Sequence, residues 1–251
     1  MTQTALLLLI ILFFVTSFVG VITGSNSLIT VPVMFQFGID PKVAIATNMF
    51  GLTFLSIGGS LPFLKQDILD RKRLPLMILL TIIGSIIGAL LVGIIASKTM
   101  PLIVGISMFF VIIFSFFRGE SKPQAASTIS TSLIILGYSL TFFLGIYGGL
   151  FSGGYVTMLT ACFIAFLGMN YTQAIANTKV INVFSSLVAS IIFAWQGLID
   201  YKLGIILAAT MFVAAYLGAK LVTKLNEIWL KKIFLATVIL LAIKTLIDFT
   251  I

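Results

Sequence analysis

Gly20-Val-Ile-Thr-Gly-Ser-Asn-Ser27, which precedes Val31-Pro32, and Gly145-Ile-Tyr-Gly-Gly-Leu-Phe-Ser-Gly-Gly154, which precedes Val156-Thr157, decide the fold. Both stretches interrupt apolar sequence, and they occupy matching places in the two halves of the chain. A broken hydrophobic segment at corresponding positions of two halves indicates the binding site of a transporter. Irregular backbone at membrane depth persists only where protein or a water-filled cavity satisfies its polar groups. The two breaks therefore predict a membrane protein whose functional site lies between them.

The composition is typical of a polytopic membrane protein. Of 251 residues, 60% are hydrophobic and 9% are charged, whereas soluble domains carry about 25% charged residues. Runs near the ~20 apolar residues that cross a bilayer recur throughout the chain. They lie at 5–22, 26–37, 42–64, 74–96, 100–118, 128–146, 150–168, 172–195, 203–222 and 231–250. The first run lacks a basic region before it and a cleavage site after it, so we interpret it as the first membrane element. The expected location is the cell (inner or plasma) membrane, crossed several times, with the lipid bilayer as a partner.

Charge and residue usage exclude several classes of function. The net charge is +8, but the basic residues sit mostly in short loops, where they set topology. The sequence has no stripe of basic and aromatic residues of the kind that binds nucleic acid. The chain has one cysteine, Cys162, and no histidine, which removes intrachain disulfides and the commonest metal ligand. We therefore predict no nucleic-acid partner, no metal site, no cofactor and no enzymatic activity.

The second set of apolar runs repeats the first. Ala44–Asn48 corresponds to Ala174–Thr178, and Gln66–Lys72 corresponds to Gln196–Lys202, each with an offset of 130 residues. The glycine-rich breaks have an offset of 125, so the second copy has gained five residues between the break and the repeated helix. This spacing predicts a first transmembrane repeat at 1–118, a cytoplasmic linker at 119–127 and a second transmembrane repeat at 128–251.

The loop charges indicate that the two repeats are inverted. If 128–195 crosses the membrane three times, the loops 65–73, 118–127 and 220–232 share one side and hold most of the basic loop residues. If it crosses twice, these residues divide almost equally between the two sides. The positive-inside bias favours three crossings. The predicted fold is all-α, with two inverted repeats of about five helical elements each. Each repeat starts with a broken hairpin whose short second arm is expected to be re-entrant.

The polar residues inside the apolar runs indicate an anionic cargo. All seven acidic residues map to loops or segment ends, whereas cation carriers usually keep a carboxylate within the membrane. Lys179 lies about seven residues into 172–195 and has no acidic residue near it in sequence. A lone lysine at this depth suits an anionic substrate. The alternative is that its long side chain snorkels to the interface.

Helix N-termini after the breaks would direct free backbone N–H groups at an anion. Pro32 is expected in the first turn of the first half-helix. Close helix packing is the alternative reason for glycine and serine at these places. The predicted substrate-binding residues, taken from the breaks and from the repeated Ala-x-Ala motif, are Gly24, Ser25, Asn26, Ser27, Thr47, Asn48, Gly149, Ser152, Gly153, Gly154, Asn177, Thr178, Lys179 and Asn182.

Together these motifs resemble the TauE/SafE sulfite exporter family. They are a glycine-rich break before a Val-Pro run, an Ala-x-Ala-Thr motif, and a second Gly-Gly-x-x-x-Gly-Gly copy followed by Ala-x-Ala-x-x-Lys. The resemblance extends from about Leu9 to Leu246 and implies transport of small sulfur-containing anions, such as sulfite or organosulfonates, across the bacterial cytoplasmic membrane. The functional positions that it implies are Gly20, Gly24, Pro32, Ala46, Thr47, Gly149, Gly153, Gly154, Ala176 and Lys179. Where the family usually has several glycines, this chain has Ser25-Asn26-Ser27, which leaves the anion unassigned.

The resulting hypothesis is a secondary transporter that exports small sulfur-containing anions. The negative cell interior drives anions outward, so export of a monoanion needs no carboxylate relay. Coupling to a proton or another ion stays open. The alternatives are an anion channel, an uptake carrier for another small organic anion, an intramembrane enzyme and a membrane scaffold.

Overall fold

The computed structural model describes residues 2–23, 26–64, 68–117 and 130–221, together with 239, 243 and 247. In these residues the chain forms helices and no strand. The helices are α1 Gln3–Thr23, α2 Ser27–Gln36, α3 Pro41–Leu64, α4 Leu74–Ile94, α5 Met100–Phe117, α6 Thr131–Leu150, α7 Tyr155–Leu167, α8 Tyr171–Trp195 and α9 Tyr201–Leu221, with a 3-10 turn at Ser97–Thr99. Six of them (α1, α3, α4, α6, α8 and α9) are long and apolar enough to cross a membrane. The predicted all-α, multi-pass fold is confirmed.

Acidic and amide side chains begin equivalent helices in the two halves. Asp40 accepts hydrogen bonds from the backbone N–H groups of Lys42 and Val43 at the start of α3. Asn170, which lies 130 residues later, accepts from the N–H of Gln173 at the start of α8. Asp70 and Asp200 act in the same way before α4 and α9. These side chains satisfy N–H groups that a helix start leaves without a partner, so these segment-end residues have a structural role.

The two central helices, α3 and α8, run antiparallel. Thr53 of α3 lies 3.3 Å from Ser190 of α8, hydroxyl to hydroxyl, whereas Ser56 accepts a hydrogen bond from Asn182 at 2.6 Å. Later residues of α3 therefore meet earlier residues of α8. Two loop contacts extend the order: Thr47 meets the loop after α8, and Asn177 meets the loop after α3.

Each of the other long helices runs parallel either to α3 or to α8. α4 runs parallel to α6, because Gly84 packs on Phe142–Ile146 and Gly88 packs on Ile146–Leu150. α9 runs parallel to α3, since Gly51 lies at Met211 and Gly204 lies at Phe50.

The remaining contacts complete the two sets of helices. α4 also runs parallel to α8, with Ser85 at Ser185 and Ala89 at Gln196. The last turns of α1, α3 and α9 lie together, with Gly59 against Val21 and Gly218 against Phe18. Equivalent helices of the two halves thus point in opposite directions: α1 and α6, α3 and α8, α4 and α9. The inverted repeat across a bilayer remains a prediction, which these directions support.

The first helix of each half packs against the fourth helix of the other half. α6 packs on α4, and α1 packs on α9. Between α4 and α6 the contact is backbone to backbone: a Cβ atom on Gly88 would lie 2.0 Å from the carbonyl oxygen of Ile146, and one on Gly149 would lie 2.3 Å from that of Ser85. Small residues allow this approach.

The structure corrects two of the sequence-based expectations. The two breaks were expected from Gly20 and Gly145, but α1 continues to Thr23 and α6 continues to Leu150. The glycine face of α6 packs tightly on α4, which keeps this part of the chain helical. The interruption is limited to 151–154. Pro32 is the sixth residue of α2 and not part of its first turn, because the helix already begins at Ser27. The linker 119–127 and most of the last apolar run, 231–250, lie outside the described residues.

The short arms of the two hairpins do not span a bilayer as single helices. α2 has 10 residues and α7 has 13, which gives lengths of about 15 and 20 Å at 1.5 Å per residue. The hydrocarbon core is about 30 Å thick. Whether these arms are re-entrant stays a prediction.

Candidate functional site

The two break motifs meet in the interior of the protein. The hydroxyl of Ser27, at the start of α2, lies 3.0 Å from the hydroxyl of Ser152, between α6 and α7. Both side chains are buried, with exposed fractions of 2% and 8%. The two residues are 125 positions apart, which is the offset of the breaks in the sequence. This contact brings together the two interruptions that the sequence singles out.

Polar side chains of α2 and α3 extend this contact into a network. Asn48 donates its amide N–H to Ser27 Oγ at 3.0 Å, and its amide oxygen accepts from Thr30 Oγ1 at 2.7 Å. In the second half, Thr160 of α7 lies 3.1 Å from Thr178 of α8, hydroxyl to hydroxyl. Thr30 and Thr160, like Asn48 and Thr178, are 130 residues apart. We call Asn26, Ser27, Thr30, Asn48 and Ser152 the break cluster.

Asn26 brings a hydrogen-bonding atom without a partner to the break cluster. Its amide N–H donates to Ser17 Oγ of α1 at 3.2 Å. Its amide oxygen is buried and has no hydrogen-bond partner among the described residues. Gly20 makes the approach possible, since a Cβ atom there would lie 3.0 Å from Asn26 Cβ. Buried polar atoms are nearly always hydrogen-bonded, so this acceptor without a donor is an exception within the cluster.

The second break is shaped by two glycines and a tyrosine. Gly154 has φ +78°, a left-handed conformation that side chains disfavour, and Val111 of α5 packs where its Cβ would be. The carbonyl of Gly153 accepts a hydrogen bond from the hydroxyl of Tyr147. The backbone N–H of Tyr155 bonds to the carbonyl of Ser152. These contacts hold the chain between α6 and α7 in its turn.

Lys179 lies on the face of α8 that packs against α3. It is buried, with 3% of its surface exposed. Asn182 and Ser186 follow it on the same face, and Asn182 donates to Ser56 of α3. Among the described residues, the ammonium group of Lys179 forms no hydrogen bond or ion pair, and no buried polar side chain is a carboxylate. The equivalent residue of α3 is Met49, so the cation is present in only one copy of the repeat.

Two predicted site residues bind loop backbone. Thr47 Oγ1 accepts the N–H of Asp200 at 3.0 Å, and Asn177 Oδ1 accepts the N–H of Asp70 at 3.2 Å. The two contacts are related by the 130-residue offset and tie each central helix to a loop of the other half. They explain the repeated motif through packing alone, and a role in substrate binding stays a prediction for both residues.

The remaining predicted residues divide between the cluster, the helices and the undescribed chain. Gly149 lies inside α6 and packs on Ser85. Gly24 and Ser25 lie outside the described residues. The described part of the chain holds no group of three or more His, Cys, Asp or Glu side chains that could bind a metal.

Sequence reasoning missed several polar residues that the structure places at the site. Hydrogen bonds join predicted site residues to Thr30, Thr160 and Ser17. The interface between α3 and α8 also contains Thr53 and Ser56. The 130-residue offset that relates Thr30 to Thr160 was the signal that could have identified this pair. Single serines and threonines on apolar helices otherwise carry little information, because they can bond to their own backbone.

Comparison with known proteins gives one family and several relatives. The family described as "Sulfite exporter TauE/SafE" matches residues 8–245. A Haemophilus influenzae protein named "Probable membrane transporter protein" is 30% identical over 223 residues, which are 86% of this chain and 85% of that protein. The Escherichia coli K12 protein "Probable membrane transporter protein YfcA" is 25% identical over 250 residues, 96% of this chain and 91% of that protein. The Sinorhizobium protein "Probable membrane transporter protein ORF9" is 27% identical over 238 residues, 94% and 90% of the two chains. No solved structure gave a significant match.

Proposed function

Because this chain belongs to the sulfite exporter TauE/SafE family, we propose that it is a secondary transporter that exports small sulfur-containing anions, such as sulfite or organosulfonates. It is a multi-pass protein of the cell membrane, and its family is one of membrane transporters. The sulfur-containing anion and the outward direction of transport are our proposal. The proposal is supported by the residues at the break cluster and by Lys179.

The observation that carries the proposal is the buried, unpaired charge of Lys179. Ionisable residues inside a membrane protein are costly and usually mark the path of a substrate or ion. Lys179 has an exposed fraction of 3% and no ion-pair partner among the described residues. A buried charge without a partner costs several kcal/mol. A substrate anion that enters the protein would offset this cost, which is why a positive residue favours anionic cargo.

The break cluster supplies neutral hydrogen-bond donors for such an anion. Ser27, Ser152 and Thr30 carry hydroxyl groups, and Asn48 carries an amide, all buried. Their present partners are each other. Sulfite and sulfonates have three oxygen atoms that accept hydrogen bonds, so an entering anion could exchange these internal bonds for bonds to itself. The starts of α2 and α7 would add the positive end of the helix dipole.

Alternating access is supported by the directions of the helices. Transporters with inverted repeats move one group of helices against another around a site near the middle of the bilayer. Here equivalent helices of the two halves run oppositely, and the two breaks touch through Ser27 and Ser152. In our proposal the two breaks separate when the site opens to one side. Outward transport of a monoanion gains about 2.3 kcal/mol per 100 mV of inside-negative potential.

Flux through proteoliposomes tests the proposal. The purified chain is reconstituted, and efflux of ³⁵S-sulfite is measured with and without an imposed potential, against liposomes without protein. We expect saturable flux that competes with organosulfonates and is accelerated by unlabelled sulfite on the opposite side. Flux that does not saturate and shows no such acceleration would indicate a channel. Flux of other organic anions but of no sulfur anion would contradict the substrate that we propose.

A further inference from the structure

Eight of the described helices form two bundles, each of which contains helices from both halves of the chain. Bundle one comprises α1, α2, α3 and α9, and bundle two comprises α4, α6, α7 and α8. Within each bundle, glycines bring helix backbones into contact. A Cβ atom on Gly58 of α3 would lie 2.7 Å from the carbonyl oxygen of Phe212 of α9, and one on Gly84 of α4 would lie 2.5 Å from that of Phe142 of α6. Close packing of this kind leaves little room for sliding and makes each bundle stiff.

Hydrogen bonds reinforce bundle two around α4. The hydroxyl of Ser85 lies 2.7 Å from that of Ser185 of α8 and donates to the carbonyl of Gly145 of α6 at 3.2 Å. The hydroxyl of Tyr155, the first residue of α7, lies 3.4 Å from that of Thr81 of α4. Tyr155 is fully buried. Hydrogen bonds therefore connect α4 with each of the other three helices of its bundle.

The contacts between the two bundles are of a different kind. The bundles meet along α3 and α8, and no glycine of the described helices has a backbone atom of the other bundle as its nearest neighbour. A further bond between the bundles, from Lys42 Nζ to the carbonyl of Gly93 at 2.8 Å, is exposed. Small polar side chains can exchange their mutual bonds for bonds to water when two helices separate. The buried side-chain pairs between the bundles are Thr53 with Ser190, Ser56 with Asn182, and Ser27 with Ser152.

A short segment connects the bundles between α8 and α9. Gln196 is fixed to bundle two, because its amide donates to a carbonyl of α4 at 3.3 Å. Asp200 is fixed to bundle one, because its backbone N–H donates to Thr47 of α3 at 3.0 Å. The chain between these two anchors is Gly197–Ile199. Gly197 ends α8 with φ +69°, and nothing lies within 4 Å of the place where its Cβ would be. The segment therefore has room to change its dihedral angles.

We propose that transport moves bundle one as a unit against bundle two, with α3 and α8 separating and Gly197–Ile199 acting as a hinge. Segments of a few residues absorb such motions in other proteins. Ser27 and Ser152 belong to different bundles, and Lys179 of bundle two lies on the face of α8 that packs on bundle one, so the motion opens both places. The inference rests on transport as the proposed function, and it adds which helices move together and where they separate.

Disulfide cross-linking tests the proposal in the full chain. In a Cys162→Ala background, Thr53→Cys/Ser190→Cys places a cysteine pair between the bundles, where the two hydroxyls are 3.3 Å apart. The matched pair within bundle two is Ser85→Cys/Ser185→Cys, at hydroxyls 2.7 Å apart. Each protein is reconstituted in liposomes, and ³⁵S-sulfite counterflow is measured before oxidation with iodine, after it, and after reduction. Mass spectrometry gives the cross-linked fraction.

The two pairs should respond differently to oxidation. We expect cross-linking of Thr53→Cys/Ser190→Cys to reduce the flux about tenfold or more, because turnover depends on a conformational step that the disulfide prevents. Reduction should restore the flux. Cross-linking of Ser85→Cys/Ser185→Cys should leave it nearly unchanged. Undiminished flux through the cross-linked pair between the bundles, or an equal loss in both pairs, would overturn the proposal.

Spin-label distances distinguish a failure of this proposal from a failure of the proposed function. If the reduced proteins carry no sulfur anion, the proposed substrate is wrong, and the motion is then measured directly. In the same background, labels at the exposed residues Ser139 of α6 and Lys202 of α9 report between the bundles, and labels at Ser139 and Ile191 of α8 report within bundle two. We expect a broad or two-component distance distribution for the first pair and a narrow one for the second. Equally narrow distributions for both pairs would refute the motion.

Discussion

Replacing Lys179 by methionine tests the assignment of the substrate site most directly. Methionine has a similar length and no charge, and the equivalent position of α3 already holds Met49, which is 1% exposed. The fold therefore accommodates methionine on this face of a central helix. Since the substitution removes a buried charge that has no ion-pair partner among the described residues, we expect the melting temperature to stay the same or to rise.

The expected loss of affinity follows from the burial of Lys179. Two unit charges 4 Å apart attract each other by about 4 kcal/mol at an effective dielectric constant of about 20. The net value of a hydrogen bond to a charged group, after desolvation, is about 1.5–3 kcal/mol. A loss of about 2 kcal/mol corresponds to a roughly 30-fold weaker affinity for the anion.

The measurement is the concentration dependence of ³⁵S-sulfite counterflow in proteoliposomes, at zero membrane potential. We expect KM to increase about 30-fold in Lys179→Met. The matched control is Lys202→Met, which removes an exposed lysine at the start of α9 and should change KM less than twofold. If the KM of folded Lys179→Met stays within about threefold of the wild-type value, the charge of Lys179 does not bind the substrate, and our site is wrong.

Transposing the charge extends this test to the repeat. The double variant Met49→Lys/Lys179→Met carries its ammonium group at the equivalent place in α3, which runs antiparallel to α8. If the two faces are equivalent, the double variant should bind sulfite more tightly than Lys179→Met alone. No recovery in a folded double variant would contradict the equivalence of the two faces.

Two further predictions concern the break cluster and the topology. Ser27→Ala and Ser152→Ala should interact in a double-mutant cycle with a coupling energy of about 1 kcal/mol in thermal stability, because each removes the same hydrogen bond; additive effects would show that the contact contributes nothing. In a Cys162→Ala background, Lys72→Cys and Lys202→Cys should react with a membrane-impermeant maleimide from opposite sides of the membrane, as inverted repeats require. Labelling of both from the same side would rule out the inversion.

The sequence predicted the helices well because the membrane makes their signal strong. The apolar runs 42–64 and 172–195 became α3 Pro41–Leu64 and α8 Tyr171–Trp195. The chain must satisfy its backbone inside a bilayer, so long apolar runs leave few options besides helix. The end of α6 was predicted less well. Gly148 and Gly149 remain helical because of contacts with α4 and α7, and such contacts between distant segments are not encoded in local composition.

The candidate site was predicted in part. The glycine-rich breaks and the offset of 125 identified Ser27 and Ser152, but only the structure brings their hydroxyls to 3.0 Å. The motif at 47–48 and 177–178 was recognised as a repeat, although Thr47 and Asn177 bond to loop backbone and Asn48 bonds within the cluster. Neighbouring residues on a helix face different directions, and sequence spacing could not determine which of them would face the break.

The packing of α6 on α4 and of α1 on α9, each across the two halves, has a consequence for the synthesis and the evolution of the protein. α4 presents a bare backbone groove at Gly84 and Gly88, and this groove is filled by α6. During synthesis this groove of α4 therefore has no partner until α6 leaves the ribosome. We expect that neither half folds stably without the other. If the two repeats are inverted in the membrane, as we propose, an ancestral single-repeat protein would have needed a second subunit of opposite orientation to supply the missing helix. Fragments of this chain divided between α5 and α6 should accordingly accumulate only when both are produced in the same cell.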